Sequence, residues 1–303
     1  MTGLSSASRL VIGTVQFGLD YGITNRGGKV APETAAAILD RARAHGIDML
    51  DTAPDYGDSE AVIRRLDPHG DFRVVTKLPP VGSKRIEQKD ADGLERRFEQ
   101  SLSDLGRNTV DGLLVHHGRQ VAMEGGETLV ALLERLRADG RTARVGVSVY
   151  GAAEIDAILR RFTPDIIQLP INIADQRLVV SGHLARLDAA GVEIHARSLF
   201  LQGALLKPPQ ELPAFLGGEA GPLARIHARA RDNGLAATEL CLGFARTQPA
   251  LGRFVVGVTS PGELDEIAAA ETSSASTGVR TDDLSVTDPA IVDPSTWPVL
   301  ENS

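Results

Sequence analysis

Eight short apolar runs, each followed by an amphipathic helical pattern, constrain this 303-residue chain more than any single motif. The runs stand at residues 9–12, 47–50, 72–76, 110–115, 143–147, 166–169, 192–196 and 253–258, and each has strand length. Helical patterns lie between or after them at 32–45, 59–66, 90–105, 127–138, 152–162, 183–190, 223–233, 237–247 and 261–270. The segment 32–45 shows the signals: Pro32 and Glu33 in a first turn, Ala36, Leu39 and Ala42 on one face, and Gly46 as the stop. No interruption is long enough for a linker, so the alternation predicts a closed parallel (β/α)8 barrel over 1–270. An open doubly wound sheet competes with it, but Gly13-Thr14-Val15-Gln16-Phe17-Gly18 after the first strand lacks the Gly-x-Gly-x-x-Gly spacing. The Pro/Gly-rich stretch 199–221 reads as a loop over the barrel mouth. Residues 271–303 read as an irregular tail whose segment 291–297 is apolar enough to dock back.

In such a barrel the C-terminal strand ends surround one pocket. The second strand ends at Asp51 and passes through Thr52, Pro54, Asp55, Tyr56 and Gly57 into the helix at Ser59. The third strand ends at Lys77 and the fourth at His116-His117. Each residue has an ordinary reading: Asp51 as a turn residue, Tyr56 as packing, Lys77 as a snorkelling side chain, His116 as a satisfied loop histidine. Four such groups at successive strand ends argue for chemistry instead. A zinc site from His116, His117, Asp51 and Asp55 is a weaker assembly, because Lys and Tyr have no place in it, and no metal is expected.

These groups suit proton transfer to a carbonyl oxygen. A phenol near pKa 10 lies roughly three units from the optimum at neutral pH, and a nearby ammonium lowers it. A carboxylate keeps that ammonium charged, and the imidazole orients the carbonyl or shares the proton. No side chain supplies a hydride, so a nicotinamide must.

With Asp51-Thr52-Ala53, Tyr56-Gly57, Thr76-Lys77, Asp111 to His116, Gly146-Val147-Ser148, Gln168 with Asn172, Ser198 to Gly203 and Gly257 to Leu264 in this order, the chain resembles the aldo-keto reductase family. The resemblance runs from about Arg9 to Ala270. It implies the barrel, NAD(P)H, a small-molecule carbonyl substrate, and a tetrad of Asp51, Tyr56, Lys77 and His116 with Tyr56 as proton donor. It further implies that Ser148 and Gln168 hold the nicotinamide carboxamide. Gly13 and Thr14, the loop with Arg197, Ser198, Leu199, Gln202 and Gly203, and the stretch with Gly257, Thr259 and Glu263 would contact the rest of the cofactor.

The departures from the family pattern carry information. Val149 stands where Asn usually follows the serine, and Arg197 where an aromatic residue commonly stacks on the nicotinamide. Glu263 stands where NADPH users often carry a basic residue, which favours NADH, with NADPH as the alternative cofactor. Gly146 to Tyr150, Ala196 to Gly203 and Leu114 to His117 are similar to a bacterial subgroup associated with surface-polysaccharide genes. They are also similar to KidO, an NADH-binding, reductase-like regulator of bacterial cell division. The second function class is therefore a dinucleotide-sensing regulator that binds a protein partner through its helical rim or tail, with little turnover.

Phe17, Tyr21, Asp55, His117, the 199–221 connection and Trp297 are the expected lining of the substrate pocket. A net charge of −8 argues against nucleic acid and anionic membrane as partners. No basic leader opens the sequence and no run reaches membrane-spanning length, so a cytoplasmic protein is expected. The single cysteine, Cys241, excludes an internal disulfide and reads as core.

Overall fold

Residues 8–298 are described by a computed structural model. Eight parallel strands close in chain order: β1 Leu10–Gly13, β2 Met49–Asp51, β3 Arg73–Leu78, β4 Val110–Val115, β5 Thr142–Ser148, β6 Ile166–Pro170, β7 Glu193–Arg197 and β8 Leu251–Gly257. β8 pairs back onto β1, with Gly257 opposite Gly13. The fold is the expected (β/α)8 barrel. The helices Ser59–Leu66 and Glu127–Ala138 have their expected bounds, while the helix from Ala152 stops at Leu159. Three single-turn helices, Val15–Gly18, Arg177–Val180 and Pro289–Val292, were not expected, since four residues are too few to display a helical period.

Residues two apart on a strand face the same way, and this rule layers the barrel interior. Val11, Met49, Val75, Leu114 and Ile166, with Val255 beside them, form an apolar layer of their own. Gly146 makes room for it, because a Cβ there would lie 2.0 Å from the Ile166 carbonyl oxygen. The alternate residues, such as Leu10, Leu50, Val74, Leu113, Ile167 and Phe254, pack outward under the helices.

Below the apolar layer, at the N-terminal strand ends, six charges form a closed ring. Arg73 pairs with Asp48 (2.8 Å) and Asp111 (3.9 Å). Arg144 pairs with Asp111 and with Glu193 (2.5 Å). Arg253 pairs with Glu193 (3.8 Å) and returns to Asp48 (3.4 Å). Each charge lies between two of opposite sign.

Beyond Pro261–Thr272, the last helix of the barrel, the chain lies back on the barrel. Val286 donates its N–H to the Ala174 carbonyl (2.8 Å), Gln176 Nε2 donates to the Thr281 carbonyl (2.8 Å), and Leu284, Ile291 and Val292 are buried. Cys241 is buried, which pushes its thiol up to about 12. Among the described residues no helix is long and apolar enough to cross a membrane. Residues 1–7, part of the stretch read for a leader, and the last five residues of the tail lie outside the described residues.

Candidate active site

The site is built where β2 turns into the helix Ser59–Leu66. Tyr56 closes a tight turn by donating its N–H to the Ala53 carbonyl (3.0 Å). The next residue has φ +59°, a left-handed conformation that Gly57 adopts without a Cβ clash. The loop after β1 packs directly on this turn: a Cβ on Gly18 would fall 1.8 Å from the Tyr56 carbonyl oxygen, and one on Gly57 would fall 2.4 Å from that of Gly18. Two glycines back to back thus set the position of the phenol.

Beneath it, Lys77 is fully buried as the last residue but one of β3, one residue before the strand end at which the sequence put it. Its Nζ donates to Asp51 Oδ1 (2.7 Å) and to the Thr52 carbonyl (2.9 Å), and lies 5.1 Å from the centroid of the Tyr56 ring. The other Asp51 oxygen accepts from Gln168 Nε2 (2.8 Å). His116 meets Tyr56 edge-on, ring centroids 6.0 Å apart, with its Nδ1 3.5 Å from the Asp55 carboxylate. Asp51, Tyr56, Lys77 and His116 are therefore brought together.

Burial pulls the Lys77 ammonium down, but Asp51 and Tyr56 outweigh it and its pKa is raised, so it stays charged. Tyr56 departs from the sequence reading. Burial pushes the phenol up, the Lys77 ammonium opposes this without overcoming it, and the net pKa is raised above 10. Proximity of charge was read correctly; the larger desolvation was not. The phenol consequently holds its proton at neutral pH. His116 is lowered to about 3, first by burial and then by Lys77, His117 and Arg197. It is therefore neutral at pH 7, a state that can hydrogen-bond but is not an imidazolium acid.

Asp51, Tyr56 and His116 open into a cavity of about 620 Å³ that runs to the helix starting at Pro261, with Lys77 buried behind them. Gly13, Ser148, Gln168, Arg197, Ser198, Leu199, Gln202, Gly203, Gly257, Thr259 and Glu263 all line it. Thr14 does not: it is fully buried, with its N–H (2.9 Å) and hydroxyl (3.0 Å) both committed to the Asp51 carbonyl. Phe17 is likewise fully buried, and Trp297 packs edge-on against Phe215, so neither lines the cavity, whereas Tyr21 does.

Ser148 and Gln168 face each other in register on β5 and β6. After β7 the chain turns sharply, with Ser198, Leu201 and Gln202 at φ +60°, +49° and +53°. Such strain persists where neighbours over-determine it. Here Asn172 Nδ2 holds the Ser198 carbonyl (3.0 Å) and Thr24 Oγ1 the Gln202 carbonyl (3.3 Å). At the far end Glu263 accepts from the Thr259 N–H (2.7 Å) and hydroxyl (3.0 Å), while Ser260 caps the Glu263 N–H (3.2 Å).

A dinucleotide fits this donor set. Gln16 Oε1 is buried in the cavity wall without a hydrogen-bond partner, and a Cβ on Gly257 would lie 2.7 Å from it, so only glycine leaves that oxygen room. Lys207 of the 199–221 connection lines the cavity as expected, whereas Gln16, Tyr150 and Glu266 line it and were missed by sequence. Gln16 sits on the single-turn helix with no period to reveal it; Tyr150, two residues past Ser148 at the end of β5, could have been found by extending that strand's alternation. Among the described residues no three His, Cys, Asp or Glu side chains are grouped to hold a metal ion.

The L-galactose dehydrogenase of Arabidopsis thaliana is 26% identical over 290 residues, 89% of each chain. An aldo-keto reductase from Bacillus halodurans in its holo form overlays with a TM-score of 0.71 at 20% identity, covering 90% of this chain and 89% of that one. An aldo/keto reductase from Klebsiella pneumoniae, solved with NADP and acetate, overlays with a TM-score of 0.67 at 19% identity, covering 89% and 87%. At such identities the solved structures establish the fold. The sequence profile of the Aldo/keto reductase family matches residues 9–277, nearly the whole barrel, and the chain belongs to that family.

Proposed function

We propose that the chain reduces the carbonyl of a small aldehyde, ketone or sugar, with Tyr56 as proton donor and NADH as the preferred cofactor. The observation that carries this reading is the Lys77 ammonium, fully buried between the Asp51 carboxylate and the Tyr56 ring on the cavity floor. Nicotinamide, when bound, supplies the hydride. Tyr56 gives its proton to the carbonyl oxygen, and Lys77 stabilises the phenolate left behind. Asp51 keeps Lys77 charged. The neutral His116 ring holds the substrate oxygen by a hydrogen bond. Ser148 and Gln168 hold the carboxamide; Gln168 gives one N–H of its Nε2 to Asp51, which leaves its carbonyl oxygen and its second N–H to offer.

Glu263 supports the preference for NADH, because a carboxylate repels a 2′-phosphate and accepts from a free 2′-hydroxyl. The Klebsiella relative was solved with NADP, so NADPH is the form to compare. The Arabidopsis relative's name puts sugars first among the carbonyls to try. The regulator reading rested partly on Val149 and Arg197; Val149 is fully buried and does not line the cavity, whereas Arg197 does. On the catalytic reading the protein draws on a cytoplasmic NADH pool.

The test is fluorescence titration with NADH and NADPH, followed by turnover on aldehydes, ketones and sugars. Tyr56→Phe should abolish turnover and leave NADH binding within a few-fold. Tight NADH binding without turnover on any carbonyl would sink the reductase in favour of the regulator.

A further inference from the structure

We infer that Arg197 makes this cavity select the reduced over the oxidised dinucleotide, a step that rests on the cofactor reading above. Arg197 is the last residue of β7 and pairs in register with Pro170 of β6, next to the Ser148–Gln168 pair. Its guanidinium is fixed on three sides. It donates to the Val149 carbonyl (3.1 Å) and to the Ser198 hydroxyl (3.4 Å), and it lies over the Tyr150 ring at 4.5 Å from the centroid. Both acceptors are neutral, so these bonds anchor the charge without cancelling it.

The surrounding groups leave that charge exposed to whatever binds. Lys77 is balanced by Asp51, and His116 is uncharged at neutral pH. Asp55 sits at the rim beside His116, and Glu263 and Glu266 lie towards the last helix, at the other end of the cavity. The field of Arg197 reaches Tyr21, Tyr56, His116 and His117, so it covers the space between the carboxamide groups and the proton donor.

The oxidised nicotinamide ring carries a positive charge and the reduced ring does not, while the carboxamide, phosphates and adenosine are the same in both. Contacts to those shared parts cannot discriminate; a fixed cation near the ring can. A planar guanidinium also stacks on a neutral ring, which an ammonium does less well. In the reaction NADH gives two electrons and a hydrogen nucleus as hydride to the carbonyl carbon, Tyr56 gives the proton to the oxygen, and NAD+ and an alcohol result. Arg197 thus faces a neutral ring before transfer and a cationic one after it, which retains the reductant and hastens loss of the oxidised product.

The experiment is separate equilibrium titration of NADH (fluorescence) and NAD+ (calorimetry) into wild type, Arg197→Gln and Arg197→Lys, with melting temperatures as the check on folding. No turnover enters the readout. Wild type should bind NADH more tightly, and Arg197→Gln should shrink the NADH/NAD+ affinity ratio about tenfold, mainly through better NAD+ binding, equivalent to about 30 mV in the bound two-electron couple. Arg197→Lys should keep most of the ratio. An unchanged ratio in Arg197→Gln, or an equal loss of both affinities, would overturn the inference while leaving the cofactor reading intact. Failure of wild type to bind either form would overturn both.

Discussion

The two ends of this barrel use charge in opposite ways. At the N-terminal end, Asp48, Arg73, Asp111, Arg144, Glu193 and Arg253 alternate in sign, each shared by two partners. The ring closes with its charges cancelled, and none of its members lines the cavity. At the C-terminal end one pair, Lys77–Asp51, is buried more deeply, and the groups around it are left unmatched. His116 Nδ1 and Gln16 Oε1 have no hydrogen-bond partner and belong to residues that line the cavity, whereas the unpartnered Arg73 Nε of the lower ring does not, and Arg197 rests on neutral oxygens. A buried charge that is fully paired holds structure; one whose surroundings are left incomplete is available to a ligand. The same strand often carries both, as β3 does with Arg73 below, Val75 between and Lys77 above.

Breaking one charge at each end tests that contrast. Lys77→Met leaves the Asp51 carboxylate buried beside a methyl group, so it should cost about 3–5 kcal/mol of stability. It should also lower turnover by about 10²-fold or more, since the phenolate loses its counter-charge. Arg144→Met removes one member of the lower ring, where Asp111 and Glu193 each keep a second arginine. Stability should fall by about 1–3 kcal/mol, with kcat and KM unchanged. Denaturant titrations and steady-state kinetics on both variants decide it. A catalytic defect in Arg144→Met would mean that the lower ring is not separable from the site.

Only the C-terminal half of this division was legible in the sequence, because strand-length apolar runs show where the chain reaches the barrel mouth. Asp51 and Lys77 are the residues at which apolar runs end, and Ser148, Gln168 and Arg197 follow from the family resemblance. In the barrel Asp51, Lys77 and Gln168 stand two places beyond Met49, Val75 and Ile166 of the middle layer, with Lys77 buried beneath the cavity and the other four lining it. Loops have no period, and there the reading failed in both directions. Thr14 and Phe17 neighbour Gly13 but turn away from the cavity, while Gln16 between them turns toward it. The raised pKa of Tyr56 was out of reach for a different reason: opposing charges can be read from residue types, whereas burial depends on everything packed around them. The closed lower ring joins residues more than 200 positions apart, and no local pattern announces it.

Acid should separate the two ends along the pH axis. His116 is held near 3 in the fold, against about 6.5 when unfolded, so between those values the unfolded chain binds the extra proton. Stability from this source is complete above about pH 6.5 and is lost as the pH falls toward 3, with a slope of at most about 1.4 kcal/mol per unit. Glu193 is held at about 2 by the hydrogen bond from His195, with Arg144 adding to it against the opposing effect of burial. Its contribution is complete above the ordinary glutamate value and disappears only as the pH falls from there toward 2, with a smaller amplitude because the side chain is 33% exposed and partly screened. The C-terminal site should therefore weaken first and the N-terminal ring second. In unfolding free energies measured from pH 7 to pH 3.5, His116→Gln should flatten the upper part of the wild-type curve, and Glu193→Gln only the part below about 4.5. A wild-type curve that stays level between pH 6.5 and 5 would mean that His116 is not held neutral by the fold, and the two ends would then differ in chemistry without differing in how acid reaches them.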